Sequence, residues 1–174
     1  MDSKISQTEK SIIKYTDRDM EQAIKNGNLK KMKQLFSKVN YRHLELTFNR
    51  HIYIAISNGR LEAMKLYDQW LKEHGLLYVY DLEWLYQEAV KVGRIDIFQL
   101  LITWDKNDDL CPYLLLDAAV EYGYIDIMKY LANLMQNNNK KIYYDDLMRK
   151  ATANNQVEVI KLIKEWQRSN KVEV

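Results

Sequence analysis

An alanine followed four residues later by a glycine recurs through this chain at nearly constant spacing. The copies are Ala23–Gly27, Ala55–Gly59, Ala89–Gly93 and Ala119–Gly123, and Ala151 is followed at the same distance by Asn155. The alanines are 32, 34, 30 and 32 residues apart, and four of the five glycines in the 174-residue chain stand in this register. A period near 33 residues means one supersecondary structure built repeatedly, and it constrains the fold more than any local propensity does.

The surroundings of the motif repeat as well. Two residues past the glycine position stand Leu29, Leu61, Ile95, Ile125 and Val157. Five past it stand Met32, Met64, Phe98, Met128 and Ile160, and eight past it Leu35, Tyr67, Leu101, Leu131 and Ile163. Eleven past it Trp70, Trp104 and Trp166 recur, with Leu134 in the fourth repeat and Lys38 in the first. Three before the alanine come Met20, Ile52, Tyr86, Leu116 and Met148. Steps of three keep these side chains on one helical face. Each repeat therefore reads as helix, break at glycine, second helix.

The break has a cause. A helix that ends in a left-handed residue favours Gly, because a Cβ is penalised there, and Asn is the next most tolerant residue. Asn155 at the fifth position supports that reading, which Ala or Leu there would have undermined. N-cap and first-turn residues mark the expected starts of the first helices: Thr16-Asp17, Asn49, Asp81, Asp108-Asp109 with Pro112, and Asp145-Asp146. The second helices carry an acid three past the glycine position, Glu62, Asp96, Asp126 and Glu158, with Lys30 the exception. Acids there complement the helix dipole and are read as structural.

Composition narrows the function. Lys and Arg exceed Asp and Glu by only two, so no strong global field points to nucleic acid or membrane. No apolar run reaches the roughly 18 residues of a membrane span, and the N-terminus shows no secretory signal. With a single cysteine, Cys111, a disulfide framework is excluded and a cytoplasmic location is expected. None of His43, His51 and His74 has metal-ligand spacing, and each is read as a solvated or loop histidine. No phosphate-binding glycine loop is present. Cys111 has no placed base beside it and is read as an inert thiol. Neither catalysis, cofactor nor metal is expected.

The pattern Ala-x-x-x-Gly-x-[Leu/Ile/Val]-[Asp/Glu]-x-[Met/Phe/Ile]-[Lys/Gln]-x-[Leu/Ile] resembles the ankyrin repeat, most closely in Gly123-Tyr124-Ile125-Asp126-Ile127-Met128-Lys129-Tyr130-Leu131. It departs from that family in lacking Thr-Pro-Leu-His at the first helix in every repeat; Cys111-Pro112-Tyr113 is the nearest approach. The Gly-Ala-Asp ending is missing too, with Gly75 its only echo. The resemblance implies an all-α, ankyrin-like α-solenoid of about five helix-turn-helix repeats with β-hairpins reduced or absent. The expected organisation is an N-terminal tail or cap at 1–16, repeats at about 17–48, 49–80, 81–111, 112–143 and 144–168, and a C-terminal tail at 169–174. In texture the repeats are similar to those encoded by large cytoplasmic DNA viruses, which implies a modulator of host signalling or innate immunity.

The resemblance also implies a non-catalytic module that binds a protein on a concave face. In ankyrin-like repeats the two residues before the glycine point toward that face; here the candidates are Lys25, Ser57, Asn58, Lys91, Val92, Glu121 and Tyr122. Tyr122 is the expected anchor. The expected state is a monomer with a protein partner and neither nucleic acid nor membrane; the alternative is an assembly protein associating through solenoid ends. Residues 1–75 carry 14 basic and 9 acidic side chains, against 12 and 15 in 76–174. Lys30, Lys31, Lys33, Lys38 and Arg42 form a candidate basic patch, or else the polar outer face of a terminal repeat.

Overall fold

The structure is a computed structural model. It describes residues 17–38, 41–75, 82–105 and 110–170, with the backbone alone at 41–46 and 170. Among the described residues all regular structure is α-helix and there is no strand. The helices are α1 (17–25), α2 (Leu29–Phe36), α3 (Tyr41–Ser57), α4 (Leu61–Glu73), α5 (Leu82–Val92), α6 (Ile95–Trp104), α7 (Pro112–Tyr122), α8 (Ile125–Asn137), α9 (Tyr144–Ala153) and α10 (Val157–Asn170). The chain divides into two compact bodies, Met1–Asp81 and Leu82–Val174.

The first helices of the first, second, fourth and fifth repeats end in the same hydrogen-bonded turn, and Gly93 of the third makes the inner bond of it, to Val90 (3.0 Å). The glycine N–H donates to the carbonyl three residues back, as from Gly27 to Ile24 (2.9 Å), Gly59 to Ile56 (2.8 Å) and Gly123 to Val120 (3.2 Å). The next N–H donates to the repeated alanine: Asn28 to Ala23 (2.8 Å), Arg60 to Ala55 (2.7 Å), Tyr124 to Ala119 (2.9 Å) and Gln156 to Ala151 (2.9 Å). This pair of bonds is the Schellman motif, which requires a left-handed residue at its centre. Gly93 and Gly123 have φ of 71° and 78°, and Asn155 has φ of 54°, as the repeat register requires. The same turn closes α8 at Asn139, where φ is 53°.

In the N-terminal body α4 packs against α2 and α3. Phe36 stacks on Trp70 with ring centroids 4.8 Å apart, and Tyr67 meets Phe36 and Phe48 edge-on. In the C-terminal body α5–α6, α7–α8 and α9–α10 are packed pairs, with α5 against α7, α7 against α9, and α6 against α8. The repeated alanines are buried in every repeat, which lets neighbouring helices approach closely. The apolar positions five and eight past the glycine are buried too, Ile160 excepted, which is half-buried.

Helix starts follow the sequence less closely. Asn49 lies inside α3, which begins at Tyr41, so it opens no helix. An Asn can cap a helix, but it can also sit within one when a long apolar face holds that helix in place. Pro112 does occupy the first turn of α7, preceded by Cys111, whose side chain makes no capping bond. Asp145 and Asp146 fall in the first turn of α9, as expected, behind a Tyr143 cap. Glu62, Asp96, Asp126 and Glu158 all stand in first turns. Thr16, Asp81 and Asp108-Asp109 lie outside the described residues, as do the 1–16 tail and 171–174. The described connection at 138–143 contains no strand.

A second bond joins consecutive repeats inside each body. The side chain just after the glycine reaches back to the backbone carbonyl two residues before the previous glycine. Arg60 Nε donates to the Lys25 carbonyl (2.9 Å), Tyr124 Oη to that of Lys91 (3.1 Å) and Gln156 Nε2 to that of Glu121 (3.3 Å). The glycine makes room for this latch. A Cβ on Gly93 would lie 2.4 Å from the Tyr124 ring, and one on Gly123 would lie 2.5 Å from Gln156.

Gly93→Ala is therefore expected to lose about 1–2 kcal/mol from left-handed strain, and more from the tyrosine ring. A double-mutant cycle with Tyr124→Ala, read by urea denaturation, should recover the excess and leave only the backbone cost. Equal losses in both backgrounds would show that the ring moves aside freely.

Candidate functional site

The positions expected to face a partner sit at the C-terminal ends of α1, α3, α5 and α7. Lys25, Ser57, Asn58, Lys91, Glu121 and Tyr122 are exposed, and Val92 is half-buried. Ser57 and Asn58 turn back on their own helix, donating to the carbonyls of Tyr53 and Ile54 at 2.8 Å each. Lys91 pairs with Glu88 at 2.5 Å. The Tyr122 ring is 44% exposed and lies beside Tyr124, with centroids 6.0 Å apart. Tyr124 forms the latch to the preceding repeat; Tyr122 does not take part in it.

In the C-terminal body these residues continue into a larger surface. Counting back nine from the glycine gives Trp84 on α5 and Leu114 on α7, which are 37% and 55% exposed. Steps of four and three along a helix place Trp84, Glu88 and Lys91 on one stripe, and Leu114, Ala118 and Glu121 on the next. Since α5 packs on α7 and α7 on α9, the stripes lie side by side. Lys150 of α9 bridges to Asp117 of α7 at 2.5 Å. Near the start of α7, Tyr113 and Tyr143 approach with centroids 6.2 Å apart, beside an open cleft of about 270 Å³ also lined by Leu116, Asp117, Met135, Asp146 and Leu147. Trp84 and Leu114 escape a reading by residue type, which assigns such side chains to the core. Carrying the repeat register back through the first helices would have found them.

The basic candidates are placed on and beside α2. Lys30, Lys31, Lys33 and Lys38 are all exposed, and the side chain of Arg42 lies outside the described residues. Asn28 caps α2 by accepting from the Lys31 N–H at 3.0 Å, the role the missing first-turn acid leaves open.

The histidines need one correction. His51 is buried at 1% exposure, not solvated, with Nδ1 2.6 Å from the Tyr67 hydroxyl. It stands eight before Gly59, where the third, fourth and fifth repeats bury Leu85, Leu115 and Leu147. His74 is exposed, with Nδ1 2.7 Å from the Trp70 carbonyl, and the side chain of His43 lies outside the described residues. Cys111 is an exposed free thiol. Among the described residues no group of three His, Cys, Asp or Glu could hold a metal ion, and no helix is long and apolar enough to cross a membrane. No family model matches the chain, and comparison with characterised proteins finds no significant relative.

Burial of His51, with a lesser contribution from the nearby Arg50 charge, lowers its pKa from 6.5 to about 4. A histidine depressed in the folded state stays neutral there while the unfolded chain takes up its proton. Stability is thus unaffected above pH 6.5 and falls as the pH drops from 6.5 toward 4, by about 3 kcal/mol in all. Replacing the pair by His51→Leu with Tyr67→Phe should flatten urea-denaturation stability across that window. A slope as steep as in the unchanged protein would place the titrating group elsewhere.

Proposed function

We propose that the chain is a non-catalytic protein-interaction module whose five helix pairs stack as a divergent ankyrin-like solenoid. Support for the stacking comes from the packing of like helices on like helices in the C-terminal body. It comes equally from the latch that joins the fourth and fifth repeats each to the backbone of the one before. The partner surface is the outward stripe of the first helices, and one observation carries it. Trp84, Leu114 and Tyr122 are exposed on a stripe of adjacent helices, beside the charged pair Lys91 and Glu88 and the carboxylate of Glu121. Large apolar and aromatic side chains held outward on rigid helices, rimmed by charge, have the make-up of a protein-binding hot spot. The resemblance to viral repeat arrays extends the proposal to a host signalling protein as partner. Tyr122 is the anchor, with Leu114 and Trp84 completing the apolar contact.

Affinity capture with the unchanged chain and with Tyr122→Ala and Leu114→Ala tests this reading. A partner retained by the unchanged chain should bind each variant about tenfold or more weakly, while the melting temperature stays nearly the same. Undiminished capture by both variants would move the interface off this stripe. Light scattering separates the alternative: a concentration-dependent oligomer lost on neither substitution would favour assembly through the ends.

A further inference from the structure

Helix α2 and the turn that ends it break the rules of the repeat at three positions, each time with a lysine. Three past the glycine the other repeats place Glu62, Asp96, Asp126 and Glu158, and the first places Lys30. Four past it the others bury Ala63, Ile97, Ile127 and Val159, and the first exposes Lys31. Eleven past it Trp70 and Trp104 are buried and Leu134 and Trp166 half-buried, and Lys38 is exposed. A terminal repeat needs a polar outer face, which accounts for the loss of apolar side chains at 31 and 38. It does not account for the sign. At Lys30 it accounts for nothing, because a cation in a first turn opposes the helix dipole that the four carboxylates favour. The neutral Asn28 cap holds the helix end instead, so the end stays cationic.

Among the described residues Lys25, Lys30, Lys31, Lys33 and Lys38 are in no ion pair, and the sequence has no acid between Glu21 and Glu45. The nearest repeat-equivalent acid, Glu62, is taken by Lys65 at 2.8 Å. The Arg60 side chain lies against Gly27, with a Cβ there meeting it at 3.6 Å, and adds a further cation to the same tip.

We propose that this face, separate from the stripe of the C-terminal body, binds an acidic protein segment: a run of Asp and Glu carboxylates in extended chain. From Lys30 to Phe36 the helix rises about 9 Å, the reach of roughly three extended residues, and Lys38 follows in the turn that ends it. Phe36 of α2 and Tyr67 and Trp70 of α4 are buried against one another and offer no ring on which a nucleic-acid base would stack. The charges on α2 are lysine point charges without the fork that reads guanine or grips phosphate. No large hydrophobic side chain is exposed among the described residues of 17–75, so a bilayer would find no apolar anchor beside the lysines.

The test is fluorescence anisotropy at low salt with labelled octaglutamate, against octaglutamine, a short DNA duplex and phosphatidylserine vesicles. Octaglutamate should bind saturably and octaglutamine should not. Changing Lys30, Lys31, Lys33 and Lys38 together to Gln should weaken binding by about tenfold or more and flatten its salt dependence, with the circular dichroism spectrum unchanged. Lys30→Glu alone should weaken binding while keeping or raising the melting temperature, since it restores the favourable dipole interaction. A lower melting temperature for Lys30→Glu would make Lys30 a structural residue and overturn the proposal. So would unaltered binding by the Gln variant, absence of saturable octaglutamate binding, or tighter binding of duplex or vesicles.

Discussion

Everything in this structure depends on a left-handed residue at the end of each first helix. It turns the chain back after a Schellman pair of hydrogen bonds, and so sets where the second helix begins and which face it buries. The alanine four residues earlier is part of the same device. Its carbonyl accepts the outer bond of the turn, while its small side chain lets helices close on one another. One five-residue motif thereby joins local backbone geometry to packing between helices. Gly93 and Gly123 add a third duty, since each leaves the space that the following repeat's latch side chain occupies.

How much of this was legible depended on whether the controlling quantity was a residue type or a register position. Helix breaks were legible because left-handed backbone admits few residue types, and Asn155 obeys that limit as firmly as the glycines do. Buried positions five and eight past the glycine were legible because apolar type and register agree there. Where the two disagree, type misleads. Histidine suggests solvent, yet His51 occupies a register that buries leucine three times elsewhere. Tryptophan and leucine suggest a core, yet Trp84 and Leu114 face outward. Asn49 resembles a cap but lies within a 17-residue helix held by more apolar surface than a local rule can weigh. The latch was invisible for another reason: Arg60, Tyr124 and Gln156 share a position and a geometry but no chemical type that a pattern could match.

The two bodies differ in how they fill their interiors. The N-terminal body relies on aromatic contact, with Phe36, Phe48, Tyr67 and Trp70 meeting face and edge around the polar His51–Tyr67 pair. The C-terminal body is dominated by aliphatic positions such as Leu101, Leu131, Ile127 and Ile163, all fully buried. A polar pair in an aromatic core makes the first body acid-sensitive in a way that aliphatic packing does not.

The latch donates its hydrogen bond to a main-chain oxygen rather than to any side chain. A carbonyl is present whatever residue bears it, so Lys25, Lys91 and Glu121 hold the repeats together without their side chains being involved. The exposed groups at those sites can thus drift in charge, size and polarity while the scaffold beneath them keeps its bonds. Evolution, or a library randomised at these three sites, can rewrite what this surface prefers with little change in how the chain folds.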